Sequence, residues 1–138
     1  MHFETVKTKE KLKKIENLYE ISFPKEEKKP FDFILKKQKE GVVEIFSIEE
    51  NKIFLGLMIV GKYSNFLFID YFAFHKKFQN KGFGSKAINL LKKENKDKKL
   101  FLEIENRFLN SLDEIEKEKR RKRAAFYFKN GLFEANFK

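Results

Sequence analysis

The chain has 138 residues, 31 Lys and Arg against 21 Asp and Glu, and a formal net charge of +10. That length suits one domain over residues 1–138, and 41% hydrophobic residues, 18 Phe among them, supply a core that excludes a disordered chain. Cys is absent and His2 and His75 are the only histidines, which excludes disulfide scaffolds, thiolate zinc sites, cysteine nucleophiles and His-built metal cages; no metal is expected. No apolar stretch is long enough to span a membrane and the N-terminus lacks a signal-peptide core, so a soluble, cytoplasmic protein without membrane contact is expected.

His2 to Lys7 reads as a short strand carrying Phe3 and Val6. From about Lys9, the residues Leu12, Ile15, Leu18, Tyr19 and Phe23 recur at helical spacing, and Pro24 ends that helix. Lys25–Lys29 is a charged connection, and Pro30 suits the first position of a second helix running through Phe31, Ile34 and Leu35 to Gly41. Val42–Ile48 reads as a strand, Glu49–Lys52 as a turn, and Ile53–Lys62 as the return strand of a hairpin. Phe66–Phe74 is more apolar, as a strand buried on both faces would be. A helix follows from Gly82 to Lys93 with Phe83, Ala87, Leu90 and Leu91 on one face, and then a strand, Leu100–Glu105. Arg107–Lys119 is polar and reads as a loop with a helical turn at Leu112–Ile115. Arg120–Asn130 reads as a helix stopped by Gly131, and Leu132–Phe137 as a last strand. The order βααβββαβαβ predicts an α+β sandwich around a mixed sheet.

The basic excess has two readings. Only Arg107, Arg120, Arg121 and Arg123 are arginine, and heavy use of Lys, Phe, Ile and Asn is that of an AT-rich coding sequence, so a solvated lysine surface explains it. An anionic partner, either nucleic acid or a phosphorylated cofactor, is the alternative.

The segment best placed to carry chemistry is Phe66 to Leu91. Its strand runs into Gln79-Asn80-Lys81-Gly82-Phe83-Gly84-Ser85 and then into an amphipathic helix. Gly82 and Gly84 leave the backbone open where unpaired N–H groups and the helix dipole favour an anion such as a pyrophosphate, and Lys81 and Lys86 add mobile charge. A plain structural turn explains so short a motif equally well. The spacing is not that of a Walker loop, and the third glycine and downstream acid of a dinucleotide fold are missing.

Placed in mid-chain after a hairpin and a third strand, Gln79-x-x-Gly82-x-Gly84 resembles the acetyl-CoA-binding motif of the GNAT superfamily of N-acetyltransferases. The run from Arg123 through Phe126-Tyr127 to Gly131-Leu132-Phe133 resembles that superfamily's Phe-Tyr-x-x-x-Gly-Phe segment, with Leu132-Phe133 where a single Phe is usual. Tyr19-x-x-x-Phe23-Pro24-Lys25-Glu26-Glu27 and Leu102-Glu103-Ile104-Glu105 are similar to a bacterial subgroup. The resemblance implies a mostly antiparallel mixed sheet flanked by helices, acetyl-CoA as cosubstrate, and transfer of its acetyl group to an amine by direct attack. Arg120 and Arg123 stand where many relatives carry Asn and Ala. The chain ends seven residues after Gly131, where relatives usually continue into one further strand. The usual last strand is therefore expected to be lacking, and the open edge to be covered in a homodimer or to leave a truncated, fragile protein.

By that resemblance, the backbone of Phe72, Ala73 and Phe74 would bind the pantetheine amides. The amides around Gln79, Asn80, Lys81, Gly82, Phe83, Gly84 and Ser85 would hold the pyrophosphate. Tyr127 stands at the position of the acid that protonates the departing thiolate; its other reading is a buried tyrosine on an apolar helix. Glu103 and Glu105 alternate with Leu102 and Ile104, which puts both carboxylates on one sheet face, as candidates for the base or as a solvated edge. Asp70 is a further candidate, whereas His75, followed by Lys76-Lys77, reads as an exposed strand end.

From Lys117 to Arg123, six of seven residues are basic. The run suits a solvated helix face, the cofactor's 3′-phosphate, an acidic substrate or nucleic acid. Phe126, Tyr127 and Phe128 follow it as a block, which fits burial better than the interleaved aromatics of a nucleic-acid surface. The expected function is an acetyl-CoA-dependent N-acetyltransferase acting on a small amine, a peptide N-terminus or a lysine. The alternative is a non-catalytic basic module that keeps the fold and binds an anionic partner such as nucleic acid.

Overall fold

The computed structural model describes residues 1–104 and 107–135. Its elements run β1 (His2–Thr5), α1 (Lys9–Ser22), α2 (Phe31–Lys39), β2 (Val43–Glu50), β3 (Ile53–Lys62), β4 (Phe66–Phe74), α3 (Phe83–Glu94), β5 (Lys99–Leu102), α4 (Glu114–Lys129) and β6 (Phe133–Glu134). The predicted order is reproduced. The strands form one sheet in the order β1-β2-β3-β4-β5-β6, antiparallel from β1 to β4 and parallel for the β4–β5 and β5–β6 pairs. This is the mixed α+β arrangement expected.

Period-two alternation in β3 sorts the core into two layers. Leu57 and Ile59 face α1 and α2, where they meet Ile15, Leu18, Tyr19, Phe31 and Ile34. Met58 and Val60 face the other side, where they join Leu67, Ile69, Leu100 and Leu102 under Ala87, Ile88 and Leu91 of α3. Residues Leu55 through Val60 are buried throughout, which is why β3 reads as an unbroken apolar run.

Several boundaries differ from the sequence reading. Pro30 is the residue before α2 rather than its first helical residue. The hairpin turn is only Asn51-Lys52, both at positive φ (52° and 67°), and β2 extends through Glu50. β4 is not buried on both faces throughout, because Asp70 is exposed. The stretch from Arg107 reads as a loop through Lys119, yet α4 begins at Glu114. Asp113 caps it by accepting from the Glu116 N–H at 2.7 Å, and Glu116 pairs with Arg120 one turn on at 3.0 Å. The basic run therefore lies on helix from its first residue. β5 stops at Leu102, short of the expected Glu105, and β6 is shorter than Leu132–Phe137. Glu105 and the last residues of that expected strand, from 136 onward, lie outside the described residues.

No helix among the described residues is long and apolar enough to cross a membrane.

Candidate active site

β4 and β5 run side by side only from Phe66 and Lys99 to Ile69 and Leu102. β5 then ends, while β4 continues to Phe74 paired only with β3 among the described strands. A cleft of about 1660 Å³ opens at this fork. Phe72, Ala73 and Phe74 line it from β4; Ala73 turns its carbonyl to Gly56 of β3, while Phe72 and Phe74, alternating with it, turn their backbone groups to the edge that β5 no longer covers, open to an amide-containing chain laid alongside.

The close approach of β3 to β4 here depends on Gly56. A β-carbon on it would stand 2.3 Å from the Ala73 carbonyl oxygen. Nothing in the sequence around Gly56 marks it as part of a site.

The loop from β4 to α3 closes one end. The Gln79 side-chain amide donates to the Phe74 carbonyl at 3.0 Å, bracing the loop against the strand it leaves. Asn80 and Gly82 both take positive φ, 60° and 84°, and α3 starts directly after Gly82 with no side-chain cap. The N–H groups of its first turn are thus left for an acceptor from outside the helix, with the helix dipole behind them. Gln79, Asn80, Gly82, Gly84 and Ser85 line the cleft; Lys81 and Phe83 do not. The Phe83 ring instead packs on Phe74 and Phe78, at 6.3 and 6.1 Å between centroids.

α4 forms the facing wall with Glu116, Arg120, Arg123, Phe126 and Tyr127. Tyr127 is half-buried, and no group among the described residues makes a hydrogen bond to its hydroxyl. Burial pushes the phenol above its ordinary value and Arg123, one turn earlier, pulls it back, so the hydroxyl is protonated at neutral pH.

The carboxylates separate. Tyr71 pairs with Ile59 and Ile69 with Val60, leaving Asp70 as the extra residue of a bulge. Asp70 lines the cleft just past the fork, its Oδ2 3.6 Å from where a β-carbon on Gly61 of β3 would stand. Solvent reaches it through the open mouth, but the surrounding walls strip enough water to push its carboxyl up to about 6, against a smaller opposing pull from Lys29. Glu103 also lines the cleft, but it follows the end of β5 and is exposed, so strand alternation does not place it. The shared face expected for Glu103 and Glu105 cannot rest on a strand that has ended, and Glu105 itself lies outside the described residues. His75 is exposed just beyond β4, as its sequence context suggests.

The remaining wall is the connection between α1 and α2, with Phe23, Pro24, Glu26, Glu27 and Lys29. Of this group the sequence marks Phe23 to Glu27 only through the subgroup resemblance, and Lys29 not at all.

A cluster of His2, Glu4 and Glu49 has ligand-like spacing elsewhere, but the Lys11 ammonium fills it, 2.7 Å from Glu4 and 2.9 Å from Glu49.

Comparison with known proteins agrees with this geometry. The family model described as the acetyltransferase (GNAT) family matches residues 12–117. None of the curated proteins compared matches the sequence. Among solved structures, a GNAT-family acetyltransferase from Bacteroides thetaiotaomicron is similar with a TM-score of 0.77 at 21% identity, over 94% of this chain and 70% of that one. An acetyltransferase from Bacillus subtilis in complex with CoA gives 0.57 at 14% identity, over 99% of this chain and 88% of its own. AAC(6')-Iy in complex with the bisubstrate analogue CoA-S-monomethyl-acetylneamine also gives 0.57 at 14% identity, over 100% of this chain and 95% of its own. At such identities the structures speak for the fold, and the family match speaks for the chemistry. The chain belongs to the GNAT family of acetyl-CoA-dependent acetyltransferases.

Proposed function

We propose that this chain moves the acetyl group of acetyl-CoA directly to an amine, with Asp70 as the base and Tyr127 as the acid. The observation that carries the reading is the fork beyond Ile69 and Leu102, whose cleft is lined by the uncapped start of α3 and by Tyr127 of α4. An unpaired strand edge suits the pantetheine amides, held by the backbone of Phe72 and Phe74 with Ala73 between them tied to β3. The first turn of α3, with the loop from Gln79 to Ser85, suits the pyrophosphate.

Acetyl-CoA supplies an acyl group already activated as a thioester. An amine acceptor arrives as ammonium and must lose a proton before it can attack. Asp70, ionised above about pH 6 and lining the same cleft, accepts that proton. Tyr127 keeps its proton at neutral pH and gives it to the departing thiolate. Glu103, the carboxylate that follows β5 into the cleft, is assigned to binding the acceptor rather than to proton transfer.

The test has two parts. Acetyl-CoA, but not adenosine, should raise the melting temperature. Thiol release with a panel of small amines, peptide N-termini and lysine peptides should then identify the acceptor. Salt-sensitive binding of oligonucleotides with no response to acetyl-CoA would instead support a non-catalytic basic module.

A further inference from the structure

From Leu18 to Pro24, the end of α1 gives the cleft a wall in which Leu18, Ile21, Phe23 and Pro24 are apolar and Ser22 is not. Ile21 stands on the last turn of α1 with 79% of its surface exposed, outside the core that Ile15, Leu18 and Tyr19 of the same helix enter. A single exposed isoleucine is ordinary on a protein surface. This one continues an apolar strip into Phe23, whose ring packs on Tyr71 at 5.0 Å between centroids. Tyr71 is the residue directly after Asp70, so the strip reaches the piece of β4 that carries the carboxylate.

On the connection beyond Pro24, the backbone groups of Glu27 and Lys29 are engaged within the protein. The Glu27 N–H donates to the Pro24 carbonyl at 3.0 Å, and the Glu27 carbonyl accepts from the Tyr71 hydroxyl at 3.0 Å. The Lys29 N–H donates to the Tyr71 hydroxyl at 3.1 Å, and the Lys29 carbonyl accepts from the Tyr19 hydroxyl at 2.5 Å. A ligand rich in hydroxyls would lose water against this wall and gain few backbone partners in return, which is costly. An apolar one gains from every contact.

Resting on the reading of this cleft as the place where an amine meets acetyl-CoA, we propose that the acceptor is a primary amine on an aryl-sized apolar body, which lies on Ile21, Phe23 and Pro24 while its nitrogen reaches Asp70. Such a body covers the exposed Ile21 side chain and the Phe23 ring in one contact. The nitrogen forms its bond to the acetyl carbon as the C–S bond breaks, Asp70 takes the ammonium proton, and Tyr127 protonates the thiolate. Specificity then comes from the end of α1, and the chemistry from β4 and α4.

The experiment measures kcat/KM for 2-phenylethylamine, ethylamine and glucosamine by thiol release, in the wild type and in Ile21→Asn and Ile21→Leu. Beside it, calorimetry follows the binding of CoA conjugates whose sulfur carries the acetamide of each amine. 2-Phenylethylamine should exceed both other amines by about tenfold or more, the low end of what an apolar contact distinguishes, and its conjugate should bind tighter than theirs by a similar factor. Ile21→Asn, at an exposed position, should melt as the wild type does and remove most of that advantage, while ethylamine and glucosamine stay within about twofold of their wild-type values. Ile21→Leu should keep the advantage. Equal values for the three amines, a preference for glucosamine, or an Ile21→Asn loss shared by all of them overturns the proposal and leaves Asp70 and Tyr127 as assigned. No turnover of any amine, with the phenylethyl conjugate still bound tightest and weakened by Ile21→Asn, overturns the acid–base reading and supports the apolar wall.

Discussion

Gly84 lies against the ring of Phe126: a β-carbon at position 84 would stand 3.0 Å from Phe126 Cζ. The second glycine of the loop thus seats the first turn of α3 on the helix that carries Tyr127, besides leaving room for an anion. Gly84→Val should weaken CoA binding and also cost about 1–3 kcal/mol by overpacking, lowering turnover because Phe126 must shift beside Tyr127. Gly82→Ala is the contrasting variant. Its φ of +84° makes any side chain there strained, at about 1–2 kcal/mol, but nothing lies within 4 Å to be pushed. Calorimetric CoA titrations with melting curves distinguish the two. A Gly84→Val protein with wild-type affinity and melting would remove both roles.

These paired roles mark the limit of what the sequence discloses. β3 and β4 appear at their predicted bounds, because each is a long apolar run closed by turn residues. The loop of Gly82 and Gly84 is legible because glycines before an amphipathic helix have a local meaning. The start of α4 is not legible by hydrophobic period, since its first turns are nearly all charged and stand on the Asp113 cap and the Glu116–Arg120 pair. Where β5 ends depends on where two strands part, a tertiary event that no alternation of Leu102, Glu103 and Ile104 can report. Gly56 under Ala73 and Tyr71 beneath Lys29 join residues distant in the chain, so their meaning exists only in the fold.

Tyr127→Phe removes only the hydroxyl and keeps the ring packed beside Phe126, at 5.5 Å between centroids. Turnover should fall roughly 10²–10⁴-fold, the range for loss of one acid–base group, with little change in acetyl-CoA affinity. Single-turnover rates at saturating acetyl-CoA, with a melting curve alongside, check this. Near-normal turnover per folded molecule would make Tyr127 a core residue and no more.

Lys11 joins α1 to the sheet by bridging Glu4 on β1 and Glu49 on β2. Its ammonium, with a smaller contribution from His2, holds the Glu4 carboxyl down at about 2. A carboxyl depressed in the fold contributes stability above its unfolded value near 4.5, and that contribution is lost as pH falls towards 2. Lys11→Met should therefore lower the melting temperature at pH 7, and the gap from wild type should narrow steadily between about pH 4.5 and 2. A gap independent of pH would assign the loss to packing of the lysine stem.

The same sign argument, applied to rate, tests the base. Burial pushes Asp70 up to about 6, with Lys29 opposing, so the carboxyl carries its proton below that pH and is free to accept one above it. For any acceptor that binds as ammonium, kcat/KM should rise tenfold per pH unit on the acidic side and flatten above about 6. Asp70→Asn should remove that limb and lower turnover roughly 10²–10⁴-fold, leaving CoA affinity near wild type because the backbone of β4 and α3 is untouched. Glu103→Gln should raise the acceptor KM and keep the limb, since Glu103 lies past the end of β5 and is exposed. The two profiles measured on one acceptor decide between the carboxylates. A limb lost in Glu103→Gln and retained in Asp70→Asn would transfer the base to Glu103, and a limb retained in both would place it on neither.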